Sequence, residues 1–204
     1  GVLNAWARSR VARGGSPITI RIVKGANMEM ERVEASLQGW PQAPYRSKRE
    51  TAANFKRMLH QGLRPENLAA VRLGVASHNL FELAYALVLA AEAGALDSIQ
   101  LEMLEGMANH QRRALFALTG EMLLYAPACK QEDFIYAVGY LIRRLDENTG
   151  PDNFLSHAFK LQVGSDDWNR LEQGFLDSFH CLQGLSAEPR RRQDRNLSVQ
   201  VRTP

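Results

Sequence analysis

The sequence predicts an α/β protein: half of a (βα)₈ barrel, with a helical extension and a linker. Four short runs rich in Ile, Val and Leu alternate with segments of helical period, the order that gives a parallel sheet with crossover helices. Each run ends in polar or small residues: Lys24-Gly25, Ser77-His78-Asn79, Glu105-Gly106, and Tyr125 just before Pro127. In barrels that end of the strands carries the chemistry. Four strands are half the eight of a closed barrel, which typically needs about 250 residues. A doubly wound open sheet is the alternative, but no GxGxxG follows any of the strands.

Taken in order, 2–12 reads as an amphipathic helix with Val2, Leu3, Trp6 and Val11 apolar and its arginines outward. Gly14-Gly15-Ser16-Pro17 ends it and leads into the first strand, Ile18 to Val23. Alternation puts Ile18, Ile20 and Ile22 on one face, toward surrounding helices, and Thr19, Arg21 and Val23 on the other, toward the barrel mouth. Arg21 is read either as a functional group or as a core-strand arginine paired with a nearby acid. Helices are expected over 28–37 and 48–63, a second strand over 71–76 and a long Ala- and Leu-rich helix over 80–93. A third strand covers 98–104, a helix 109–118, a short strand 122–126 and a helix 132–147. Helices at 154–159 and 168–179 follow, separated by Gly164-Ser165-Asp166-Asp167. From Ser186 the chain is polar and without period, an extended tail or linker.

Composition is that of an ordinary globular protein, 45% hydrophobic and 23% charged. A formal charge of +3 is too small to argue for nucleic acid. The clusters Arg8, Arg10, Arg13 and Arg190, Arg191, Arg192, Arg195 lack the interleaved aromatics of a base-stacking surface and read as solvated faces. Cys129 and Cys181 have no metal-like spacing, so free thiols in a reducing, cytoplasmic compartment are expected. The run from Leu83 to Ala91 is too short to cross a bilayer. The opening carries neither an initiator methionine nor a signal peptide, which suggests a piece of a longer polypeptide.

Lys24, at a strand end, suits either a Schiff base or a phosphate ligand. His78 alone is more often structural than catalytic, and no His and carboxylate spacing suits a metal. On the 132–147 helix, Phe134, Val138, Leu141 and Leu145 form an apolar stripe expected to anchor it. Tyr140, Arg143, Arg144 and Glu147 fall at i, i+3, i+4 and i+7 on the other face. Adjacent arginines backed by a glutamate make a planar, bidentate carboxylate receptor, whereas an isolated exposed helix would have only an Arg143–Glu147 ion pair.

Together, Arg21-Ile22-Val23-Lys24-Gly25-Ala26, Ser77-His78-Asn79, Leu104-Glu105-Gly106-Met107, Tyr125-Ala126-Pro127 and Tyr140-Leu141-Ile142-Arg143-Arg144-Leu145-Asp146-Glu147-Asn148 resemble the proline dehydrogenase domain. They resemble in particular the form found in bacterial bifunctional enzymes of the proline utilization A type. The resemblance runs from residue 1 to about residue 160, in order, and the tyrosine–double-arginine helix is its most specific part.

The resemblance implies a TIM-type barrel that holds FAD, with 1–160 its second, C-terminal half and 161–204 a helical segment and linker toward an aldehyde dehydrogenase domain. By that resemblance Arg21 lies near the reactive nitrogen of the flavin, and Val23, Lys24, Gly25 and Ala26 line the flavin and its phosphates. Thr51, Ser77, His78 and Glu102 contact the rest of FAD, which Arg144 and Glu147 also approach. Arg143 and Arg144 clamp the carboxylate of L-proline, with Ala26, Leu104, Tyr125 and Tyr140 around the ring and Glu147 bracing the arginines. Arg21, Tyr140, Arg143 and Arg144 are thus the expected catalytic set, and no metal is expected.

The resemblance further implies hydride transfer to FAD, a membrane quinone as electron acceptor, a cytoplasmic location that can be peripheral to the membrane, and scope for a homo-oligomer. The chain departs from many relatives at Asn27-Met28, where they carry two aromatic residues, and at Glu102, where some carry an amide. The first four strands, which supply a lysine and an aspartate of the family's substrate site, do not lie within these residues. A Schiff-base lyase using Lys24 and a non-catalytic barrel-derived assembly module are the readings of other classes.

Overall fold

A computed structural model describes residues 1–25, 28–150 and 153–191, with backbone alone at 146 and 147. The expected assignments of Ala26 and Glu147 lie outside the described residues and side chains.

Helix α1 (Val2–Ala12) leads through Gly14, φ +83°, into strand β1 (Ile18–Ile22). Three helices, α2 (Met28–Gln38), α3 (Lys48–Gly62) and the single turn α4 (Pro65–Leu68), cross to β2 (Val71–Ala76). Helix α5 (Leu80–Glu92) crosses to β3 (Ile99–Leu104), and α6 (Asn109–Thr119) to β4 (Leu123–Tyr125). Helix α7 (Phe134–Asn148), the turn α8 (Phe154–His157) and α9 (Asp166–His180) follow. The sheet is parallel throughout, in the order β1-β2-β3-β4, so all four C-terminal strand ends lie on one side.

Local chemistry sets these boundaries. At the start of α3, Ser47 accepts from the Glu50 backbone N–H while Glu50 Oε2 accepts from the Ser47 N–H, a reciprocal cap. Asn79 Oδ1 accepts from the Phe81 and Glu82 backbone N–H groups and opens α5 directly beyond β2. Gly120, φ +72°, ends α6 in the left-handed conformation. The expected strand at 122–126 shortens to Leu123–Tyr125, and the expected helix start at 132 becomes a 3₁₀ turn before α7.

The core lies between the sheet and α3 and α5: Phe55, Leu59, Leu83, Ala86 and Ala90 pack against Val71, Leu73, Val75, Leu101 and Met103. Ile18, Ile20 and Ile22 face this layer, while Thr19 and Arg21 lie on the exposed face of β1, as alternation requires. The central strands β2 and β3 are almost wholly buried, and the edge strand β4 is exposed along its length. The barrel half is therefore an open sheet in this chain.

Two expectations change. The apolar stripe of α7 does not anchor it: Phe134, Leu141 and Leu145 are 63%, 41% and 55% exposed. Among the described residues the sheet stops at β4, and no layer covers that stripe; Ala137 is buried instead. The polar stretch from Ser186, expected as a free tail, is docked as far as Arg191. Tyr45 donates to the Ser186 carbonyl at 2.7 Å, Arg57 to Leu185 at 2.8 Å and Arg190 to Pro44 at 2.6 Å. The Arg190 guanidinium lies 4.4 Å from the Tyr45 ring centre and that of Arg191 4.9 Å from Trp40. Aromatic residues that bind these arginines sit in the 40–45 loop, far away in sequence. The helix α9 packs on α3 and α5, its Phe175 and Phe179 meeting Phe81 and Tyr85.

Candidate active site

Arg21 points from β1 across the sheet to Glu102 on β3 and donates through Nε to its carboxylate. Strand β2 lies between them, and there the register places Gly74 beside Arg21. A Cβ at Gly74 would overlap Glu102 Oε1, so the glycine is what lets the pair meet over the central strand. Glu102 is buried, while the Arg21 side chain stays 44% exposed. The pairing with an acid anticipated as one reading of Arg21 is thus present, with Glu102 its partner.

From Arg21 the contacts continue around the rim. Its guanidinium carbon lies 5.4 Å from the ring centre of Tyr125 at the end of β4. The Tyr125 ring meets Tyr140 of α7 edge-on, 6.1 Å between centres, and the Arg144 guanidinium stacks 5.3 Å from Tyr140. Glu102, Arg21, Tyr125, Tyr140 and Arg144 therefore form one continuous series. Arg143, one position earlier, is exposed.

At the end of β2, Ser77 Oγ accepts from the Asn79 backbone N–H at 3.1 Å. His78 Nε2 accepts the Leu104 backbone N–H at 3.1 Å, joining the ends of β2 and β3. Burial lowers the pKa of His78 from 6.5 to about 4, so the ring is neutral at pH 7. With Nε2 accepting, the ring proton belongs on Nδ1. That atom is buried and has no hydrogen-bond partner among the described residues. Leu104 sits beside Tyr125 in the register.

Beyond β1, Val23 is exposed and Gly25 takes φ +96°, a backbone conformation that favours glycine, with open space around it. Lys24 Nζ lies 2.9 Å from Glu82 Oε1, and Lys56 Nζ reaches the same oxygen at 2.8 Å. Thr51 is buried in α3 and donates to the Lys48 carbonyl at 2.8 Å.

Sequence reading missed Glu82, Lys56 and Gly74. The signals were present: a lone acid in the first turn of a largely apolar helix, a lysine on the buried face of α3, and a glycine inside a buried strand.

The chain is 41% identical to proline utilization A from Corynebacterium freiburgense, with a TM-score of 0.78, over 94% of this chain and 18% of that one. It is 28% identical to proline utilization A from Bdellovibrio bacteriovorus, a structure inactivated by N-propargylglycine, with a TM-score of 0.72 over 96% of this chain and 19% of that one. A mutant proline utilization A from Bradyrhizobium japonicum, 24% identical, shares the fold over 93% of this chain and 18% of its own, with a TM-score of 0.68. The chain thus spans about a fifth of these solved relatives. No curated protein matches it. The proline dehydrogenase family model matches residues 2–157, the part that contains all four described strands and the double-arginine helix, and the chain belongs to that family.

Proposed function

We propose that this chain forms the C-terminal half of a FAD-dependent proline dehydrogenase site that oxidises L-proline to 1-pyrroline-5-carboxylate. The observation that carries the reading is the series Glu102–Arg21–Tyr125–Tyr140–Arg144 on the strand-end rim of a proline dehydrogenase family member. FAD, when bound, supplies the two-electron oxidant that takes the hydride from the ring carbon beside nitrogen, chemistry no side chain provides.

The residues present suit that cofactor. Among the described residues, His78 offers a buried Nδ1 donor with no protein acceptor, and Gly25 leaves open space beside Lys24. Val23, Lys24, Gly25, Thr51, Ser77, His78 and Glu102 are the cofactor contacts in this reading, with Arg21 and Arg144 also adjoining it; Ala26 and Glu147 belong to the same set.

Each remaining role follows from the side chain. Arg143 and Arg144 bind the substrate carboxylate, because guanidinium holds a carboxylate in a planar fork. Leu104, Tyr125 and Tyr140, with Ala26, give the pyrrolidine ring an apolar wall and exclude water. Two guanidinium groups and two rings orient the ring for reaction, which is most of what the protein needs to contribute. Arg21 places positive charge beside the site, moderated by Glu102. Lys24 Nζ is engaged by Glu82, which favours the cofactor role over a Schiff-base lyase.

In this reading the chain is part of a larger bifunctional polypeptide whose aldehyde dehydrogenase domain consumes the product, and a membrane quinone takes the electrons. Proline-dependent dye reduction by the full-length polypeptide tests the activity: turnover with L-proline is expected, and its absence in flavin-loaded protein would reject the reading.

A further inference from the structure

Glu82 and Lys56 are fully buried, each 0% exposed, and Lys24 joins them with its side chain 30% exposed. One carboxylate oxygen receives both ammonium groups, while Glu82 Oε2 is buried with no hydrogen-bond partner among the described residues. The cluster is roofed by α9: Lys56 Nζ lies 4.1 Å from the Phe175 ring centre and 5.0 Å from that of Phe179. Burial lowers the pKa of Lys56 to about 8, against the opposing pull of Glu82. Desolvation therefore outweighs attraction, and as a device for stability the cluster is poor; apolar residues of the same volume would serve as well.

What the cluster does achieve is to fix Lys24. A lysine stem is long and has many rotamers, and here its tip is held on an oxygen oriented by a second ammonium. Glu82 is placed for this by the start of α5, where Asn79 caps the helix and the first turn favours a carboxylate. Two ammonium groups and one carboxylate leave one net positive charge, and Lys24 is the member that meets solvent. It does so beside Gly25, where the backbone is open.

We propose that Glu82 is a positioning residue for the cofactor: it holds Lys24 at the end of β1 so that the 23–25 turn is preset to receive an anionic part of FAD. This rests on the flavin reading above. Phe175 and Phe179 keep the cluster dry, which ties α9 to the cofactor end of β1 although the two are some 150 residues apart.

The test uses the full-length polypeptide in a Lys56→Met background, so that no buried ammonium is left without a counter-charge. Glu82→Gln and Lys24→Met are added singly and together. The FAD dissociation constant of the apoprotein is read by flavin fluorescence, with thermal unfolding as a control for folding. Glu82→Gln is expected to weaken FAD about tenfold, as Lys24→Met does, and to add less than about twofold once Lys24 is gone. A loss below about threefold, or an undiminished loss in the absence of Lys24, overturns the proposal; either would leave Glu82 a structural residue. A parent protein that binds no FAD at all would instead overturn the flavin reading, and this one with it.

Discussion

Arg21 on β1 and Glu102 on β3 are joined over the top of β2, and Gly74 is the residue that makes room for them. Gly74→Ala is expected to displace the Glu102 carboxylate and to destabilise the fold by about 1–3 kcal/mol, the usual cost of overpacking a tight site. Urea unfolding measures it. In a Glu102→Ala background most of that cost should vanish; an equal cost there would mean that the glycine serves the backbone and not the pair.

The same pair sets the charge beside the proposed flavin. Arg21→Ala is expected to lower the flavin midpoint potential and slow its reduction by proline, with little change in proline affinity. Glu102→Gln should act in the opposite direction, because it frees the Arg21 charge. Potentiometric titration of both variants decides the matter, and identical midpoints would leave the pair a structural tie between strands.

Arg143 and Arg144 carry the substrate prediction. Replacing either with methionine removes a charge-assisted contact of about 1.5–3 kcal/mol. The Michaelis constant for proline should rise roughly ten- to two-hundred-fold. Arg143, the exposed member, should leave FAD content unchanged when replaced. Unaltered Michaelis constants for both variants would reject the clamp.

His78 gives the fold a pH dependence of definite sign. Its folded pKa lies below its ordinary value, so the unfolded chain binds the proton more readily. The contribution to stability is complete above about pH 6.5 and is lost as the pH falls toward 4. Between pH 7.5 and 5 the loss should be about 1–2 kcal/mol in flavin-free protein. His78→Asn should lose less than the wild type over that interval; equal losses would place the acid sensitivity elsewhere.

The strand and helix order was legible because parallel strands and their crossover helices differ in period, and Ile18, Ile20 and Ile22 already marked the core face of β1. Tyr125, Tyr140 and Arg144 were legible as a group from their motifs, and they meet through ring contacts. The partnership of Arg21 with Glu102 was open only in kind, since 81 residues separate them and no local pattern names the acid. Glu82 and Lys56 went unread for a related reason: each charge stood out on its own helix, but 26 residues separate them and no local pattern pairs them. The stripe on α7 was read as buried because an apolar face usually finds a layer. Among the described residues β4 ends the sheet before one is supplied.

The visible absorption spectrum of the full-length polypeptide, recorded before and after L-proline under anaerobic conditions, tests the central claim most directly. Flavin bands that bleach on addition of L-proline are expected. A colourless protein, or flavin bands that proline leaves unchanged, would contradict the assignment of this chain to a flavin-dependent proline-oxidising site.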